Sequence, residues 1–295
     1  MASLRESLGK VGLWASGAAL GGPSRAGEFA RTVEGLGISA LWLGGGNPDD
    51  AALQERAAML AATEHLVVAT GITNIWAWRP AALYQRAVAL DRDHPGRFLL
   101  GLGVSHGPLV QQMGRTYAKP LAAMRAFLDG LDQADAEASA SAPPTRVLAA
   151  LGPKMLELAR DRSAGAHPYL VTPEHTAVAR RVMGEGPLLA PEQAVVVNSD
   201  AAEARRIARQ YLSTYLVLPN YLTNLAEYGF DDGDFADGGS DRLVDALVPS
   251  GDGGTVAKRI AEHFDAGADH VCVQPLGEGR AVDLDGMRDV LAAIG

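Results

Sequence analysis

Gly96-Arg-Phe-Leu-Leu-Gly-Leu-Gly-Val-Ser-His106 places a short apolar run between a turn glycine and a glycine-marked exit. The run Phe98–Leu102 has the length of a buried strand, and Gly103 ends it. A second stretch, Arg146-Val-Leu-Ala-Ala-Leu-Gly-Pro-Lys-Met155, repeats the plan. Its apolar run stops at Gly152, and Pro153 stands at a helix start, where a missing N–H is tolerated. Glycine lets a ligand approach the backbone with no Cβ in the way, and free amides at a helix N-terminus form an anion site. Two such ends in one chain predict a parallel barrel that holds a phosphorylated cofactor over its strand ends.

Outward from these stretches, strand-like and helix-like segments alternate. Strands are predicted at Val11–Trp14, Ala40–Leu43, Leu66–Thr70, Phe98–Leu102, Arg146–Ala150, Tyr169–Val171, Ala194–Val197 and His270–Gln274. Helices are predicted at Ser24–Leu36, Asp49–Glu64, Ala81–Asp91, Pro153–Ser163, from Thr172-Pro173-Glu174 onward, Ala201–Leu212 and Thr255–Ala266. Eight strands, each followed by a helix, make an α/β fold, a (β/α)8 TIM barrel, as a single domain over residues 1–295. Insertions at about 107–144 and 215–249 fall at the C-terminal strand ends, where they cover an active site. The first holds a helix, Pro120–Leu131, then an Ala/Ser/Asp-rich loop, Asp132–Pro144; the second holds an acidic stretch, Asp231-Asp232-Gly233-Asp234, read as a solvated turn.

Composition bounds the function classes. Hydrophobic residues make up 47% and charged residues 21%, a globular balance. No apolar run reaches transmembrane length and the N-terminus lacks a signal-peptide core, so a cytoplasmic protein is expected. A net charge of −9 argues against nucleic-acid or anionic-membrane partners and leaves a small-molecule substrate. One cysteine, Cys272, excludes an internal disulfide, and the scattered histidines predict no metal site.

The motifs Gly-Ile-Ser-Ala-Leu-Trp-Leu (37–43), Val-Ala-Thr-Gly-Ile (68–72), Pro-Gly-Arg-Phe-Leu-Leu-Gly-Leu-Gly (95–103) and Ala-Leu-Gly-Pro-Lys-Met (150–155) resemble the luciferase-like monooxygenase superfamily. Gly165-Ala166-His167-Pro168-Tyr169, Thr172-Pro173-Glu174-His175, Asn220-Tyr221 and Gly239-Ser240-Asp241-Arg242 resemble its F420-dependent oxidoreductase branch. The resemblance covers nearly the whole chain. It implies a barrel that carries coenzyme F420, or alternatively FMN, at its strand exits. It also implies a non-prolyl cis peptide beneath the ring at Gly71-Ile72 or the bond before it. Cofactor phosphate contacts map to Gly103, Val104 and Ser105 and to Leu151, Gly152, Pro153, Lys154 and Met155, with Lys154 adding charge. A homodimer through the helices after the second and third strands is implied too, the alanine pairs Ala51-Ala52, Ala57-Ala58 and Ala61-Ala62 permitting close approach.

The chain also departs from relatives that oxidise sugar phosphates. Those carry an acid and a histidine after the second strand, where this chain has Gly44-Gly45-Gly46-Asn47, and a glutamate near Val104. Glucose-6-phosphate oxidation is therefore not expected. Pro120 stands where flavin-using relatives place an arginine, for which Arg115 or Arg125 could substitute.

Among chemistry-bearing residues, His106 follows the first exit and is the candidate catalytic residue, as a hydrogen-bond donor or proton shuttle. Asn74 could bond a ring carbonyl, and Trp76 and Trp78 could wall a planar ring. His175, in the first turn of its helix, is placed toward the cofactor phosphate. His167, ahead of the predicted sixth strand, is read as structural on the entry side of the barrel. No acid–base dyad stands out, which points to hydride passing from a reduced cofactor to an electron-poor substrate. A monooxygenase using FMN and a cofactor-binding barrel without turnover are the competing readings.

Overall fold

Buried on both faces, the apolar runs of the sequence form the parallel strands of a closed barrel. The computed structural model describes residues 3–17, 22–44, 50–138 and 143–295. The barrel strands are β1 (Val11–Ser16), β2 (Ala40–Gly44), β3 (Val67–Thr70), β4 (Phe98–Gly103), β5 (Arg146–Leu148), β6 (Gly165–Ala166), β7 (Leu188–Leu189 continued by Glu192–Val197) and β8 (Val271–Pro275). Each pairs in parallel with its neighbour, Trp14 opposite Trp42 and Leu43 opposite Thr70. The barrel closes because β7 bends at Ala190-Pro191. Its first part pairs with β6, and its second part with β8. Thr73–Asn74 extends the β3 side against β4, and Ser250–Gly251 lies beside β7.

Side chains alternate across each strand. Leu13, Leu41, Val68, Leu100 and Val195 point outward under the helices. Trp14, Trp42, Leu99, Val147 and Cys272 fill the barrel interior. Trp14 demands space that the neighbouring strand supplies as glycine. A Cβ on Gly44 would lie 2.0 Å from the Trp14 ring and 2.3 Å from the Gly71 carbonyl oxygen.

Several expectations are corrected here. The sixth strand is Gly165–Ala166, not Tyr169–Val171, because the Gly165 and Ala166 backbone is what pairs with Leu188 and Leu189. The helix in the first insertion runs Pro120–Ala138, past Leu131, its apolar stripe continuing to buried Ala134. Of the loop expected over Asp132–Pro144, residues 139–142 lie outside the described residues, as do Gly45, Gly46, Asn47 and Asp49. Asp231–Asp234 is no solvated turn. Asp231 caps the short helix Asp232–Phe235, and buried Asp234 accepts from Ser240 Oγ at 2.6 Å and pairs with Arg242. Beside Gly27 of the neighbouring helix stand the Ala62 Cβ and the Ala58 carbonyl, while Ala51 and Ala61 of the same alanine pairs are exposed. No helix among the described residues is long and apolar enough to cross a membrane.

The second insertion and the end of the helix before it build a second apolar cluster, with Leu212, Leu218, Leu225, Leu243 and Leu247 packed with Leu170, Val196 and Leu276. Overpacking at the tryptophan–glycine contact gives a direct test of the barrel interior. Gly44→Ala is expected to lower stability by about 3 kcal/mol, read by thermal unfolding. Gly186→Ala, whose Cβ meets open space, should change it little.

Candidate active site

The strand exits and the two insertions enclose a cavity of about 1200 Å³. The turns after β3 and β4 supply one side. The peptide Gly71–Ile72 is cis. Beneath it lie Trp14 Nε1 and His167 Nε2, which a Cβ on Gly71 would approach to 2.8 and 3.3 Å. Gly103 gives room to the Ile72 side chain, whose Cδ1 would stand 2.5 Å from a Cβ there. Ser105 follows in the left-handed region at φ 56°, and the Trp76 indole N–H donates to the Val104 carbonyl at 2.8 Å. Asn74 caps the next turn, accepting from the Trp76 amide at 3.0 Å.

Across the cavity, the helix Pro153–Arg162 starts at Gly152 with no side-chain cap. The Met155 amide donates to the Gly152 carbonyl at 3.1 Å, and the amides of Gly152 and Lys154 are left for an external acceptor. Gly152 is exposed, and a Cβ built on it meets open space. His175 stands behind this turn. Its Nε2 lies 2.9 Å from the Leu151 carbonyl, which fixes the proton on that nitrogen.

Of the residues singled out in the sequence, Gly71, Ile72, Asn74, Gly103, Val104, Ser105, His106, Leu151, Gly152 and Met155 line the cavity together. Pro153 and Lys154 are exposed at the helix start and do not line it. His175 is buried and does not face it either; it supports the Leu151–Gly152 turn from behind. Trp78 is in the wall, whereas Trp76 acts through the Val104 carbonyl.

His106 Nδ1 lies 3.2 Å from Asn220 Oδ1. With that oxygen accepting, the proton sits on Nδ1 and the Nε2 lone pair is left open. Burial lowers its pKa against the pull of Asn220, keeping the ring neutral at pH 7. His167 corrects the sequence reading. It follows the true sixth strand at the exit side, lines the cavity and stacks on Trp42 with ring centroids 4.4 Å apart. Its Nδ1 donates to the Ala190 carbonyl at 2.7 Å, and burial takes its pKa down to about 4.

The wall that sequence reading missed is aromatic. Tyr169, Tyr211, Tyr215 and Tyr221 line the cavity from three separate elements. Tyr211 donates to the Tyr169 hydroxyl at 3.0 Å, and Tyr169 donates to Gln274 Oε1 at 3.0 Å. The Tyr215 hydroxyl lies 2.9 Å from that of Tyr169. The four-residue spacing of Tyr211 and Tyr215 at a helix end was the available signal. Arg56 was missed as well. It is buried at the cavity edge, with Nη2 donating to the Leu43 carbonyl at 3.3 Å and Nη1 paired with Glu55 at 3.2 Å.

The luciferase-like monooxygenase family model matches residues 8–270. The chain belongs to that family. A curated relative, the 5,10-methylenetetrahydromethanopterin reductase of Methanolobus tindarius, is 24% identical, over 86% of this chain and 91% of the relative. An F420-dependent secondary alcohol dehydrogenase solved with an F420–acetone adduct superposes with a TM-score of 0.76 at 17% identity, covering 97% of this chain and 99% of that one. The oxygenating constituent of 3,6-diketocamphane monooxygenase from Pseudomonas putida, solved with FMN, has a TM-score of 0.67 at 17% identity, covering 97% and 95%. These structures share the luciferase-like barrel with this chain.

Under the tyrosine wall lies a buried carboxyl, Glu192, whose Oε2 accepts from the Leu170 amide at 3.2 Å. Burial raises its pKa to about 8. Between the ordinary carboxylate range and that value the unfolded chain holds Glu192 ionised while the fold holds it protonated, so stability falls as pH rises through this window. Glu192→Gln keeps an acceptor for Leu170 and removes the titration. Its stability relative to the unsubstituted protein is expected to rise steadily from pH 5 to pH 8, by up to a few kcal/mol, measured by urea unfolding across pH.

Proposed function

We propose that this chain is an F420-dependent oxidoreductase that moves a hydride between the deazaflavin and a small organic substrate. The observation that carries the reading is the uncapped helix start at Gly152–Pro153, opening on a cavity large enough for a tricyclic ring and a substrate. The F420-dependent relatives support it. The residues present fit the cofactor. The Gly152 and Lys154 amides would hold its phosphate, Gly103, Val104 and Ser105 its linker, and the Gly71–Ile72 turn its ring. When bound, the deazaflavin supplies a two-electron hydride carrier.

The chain's own part is positional. Trp76 and Tyr117 hold the Val104–Ser105 backbone through their bonds to its carbonyls, at 2.8 and 3.5 Å. His175 holds the Leu151 carbonyl, keeping the phosphate turn in shape. The helix Gly107–Gln112, with Met113 just past its end, and the helix Pro219–Ala226 carry Leu109, Met113 and Tyr221 over the exits, and this cover excludes water during transfer. His106, neutral with Nε2 open, can accept a proton or a hydrogen bond at the cavity mouth. The neutral surroundings favour reduction of an electron-poor substrate. The same reading carries a homodimer, which light scattering of the purified protein tests.

Titration with oxidised F420 and, separately, FMN tests the assignment through fluorescence quenching. F420 is expected to bind with a Kd on the order of 1 μM, about tenfold or more tighter than FMN. Gly152→Asp, which sets a carboxylate against the phosphate, should weaken F420 about tenfold or more. Preference for FMN would move the protein to the monooxygenase side, and binding of neither would overturn the cofactor assignment.

A further inference from the structure

Tyr221 differs from the other three tyrosines of the cavity wall. Tyr169, Tyr211 and Tyr215 bond one another and Gln274. The Tyr221 hydroxyl has no hydrogen-bond partner among the described residues, although its ring is 5% exposed and lines the cavity. The ring stands 5.6 Å from Tyr215, edge-on, 6.4 Å from Tyr169 and 5.3 Å from the His106 imidazole. A phenol that stays protonated by burial and lacks an acceptor is a donor waiting for one. The surrounding rings offer their faces to a flat, polarisable partner.

We propose that this tyrosine wall is the substrate half of the cavity and takes a planar conjugated carbonyl compound, its oxygen accepting from the Tyr221 hydroxyl. The proposal rests on the oxidoreductase reading above and names the substrate class for the same site. In the reaction it implies, the carbonyl carbon, or the far carbon of the conjugated double bond, receives hydride from the reduced deazaflavin. The π pair shifts onto oxygen, which takes the Tyr221 proton, and water reprotonates the phenolate. The substrate gains two electrons and two hydrogens, giving the alcohol, or an enol that tautomerises to the saturated ketone. The cofactor leaves oxidised.

The test uses the full chain without cofactor and the probe 4-phenyl-3-buten-2-one, labelled with carbon-13 at its carbonyl, with cinnamate as the charged counterpart of similar shape. Binding is followed by tryptophan fluorescence and by the infrared carbonyl stretch. The stretch is expected to fall on binding, and cinnamate to bind about tenfold or more weaker, since its charge must be buried. Tyr221→Phe should abolish the shift and weaken the enone about five- to tenfold, with F420 affinity and the thermal midpoint unchanged. An unchanged shift and Kd in Tyr221→Phe, or cinnamate binding as tightly as the enone, would overturn the proposal. Should Tyr221→Phe fail to fold, 3-fluorotyrosine at position 221, a stronger acid, is expected to deepen the shift; an unaltered stretch would overturn the proposal equally. If F420 does not bind while the enone signature holds, the redox assignment falls and the carbonyl site stands.

Discussion

Everything at the top of this barrel depends on the packing of Trp14 and Trp42 inside it. Two indoles fill a bore that smaller side chains would leave hollow, and Trp14 fits only because Gly44 and Gly71 withhold a Cβ. Trp14 thereby presses directly under the Gly71 peptide and sets the height of the cavity floor. Trp42 donates to His270 Nε2 at 3.1 Å and stacks on His167, so the floor is tied to the barrel bottom through one continuous set of rings.

That column is electrically neutral. His270 donates from Nδ1 to the Gly9 carbonyl at 2.8 Å, which leaves Nε2 to accept from Trp42. His167 is locked in the same tautomer by the Ala190 carbonyl. Burial pulls both imidazoles down to about 4. Glu192 is shifted upward for the same reason, since a low dielectric disfavours whichever form is charged. The cavity above such a floor meets no fixed charge from the barrel interior, and polarity enters from the walls: the helix start at Gly152, the tyrosine hydroxyls and His106.

How much of this was legible in the chain depends on whether the signal was local. Gly103 and Gly152 were readable because a strand end and a helix start announce themselves by adjacent residues, and both sit at the cavity as expected. The sixth strand was misplaced by a few residues because Tyr169–Val171 is the more apolar run. Gly165–Ala166 pairs through backbone alone, which composition does not reveal. That small shift carried His167 from the barrel entry to its exit. A small-residue stripe does not say which helix approaches it: Ala58 and Ala62 meet Gly27 of the same chain, while Ala51 and Ala61 stay exposed. Lys154 drew attention by its charge, yet it does not line the cavity, and its neighbours Gly152 and Met155 do.

The sequence by itself determined the barrel, the order of its strands and the two glycine exits, because periodicity and turn chemistry act over a few residues. Family membership was legible for the same reason, as an ordered series of short motifs. Only the tertiary structure decided what meets above the strands. Tyr169, Tyr211, Tyr215 and Tyr221 come from different elements, and their convergence follows from how the second insertion folds back over β6 and β7. It also decided that His175 props the Leu151–Gly152 turn from behind, where the sequence suggested it would touch a cofactor phosphate. Helical spacing places a side chain on a face of its own helix, but the carbonyl it meets belongs to another loop, and packing alone sets that distance.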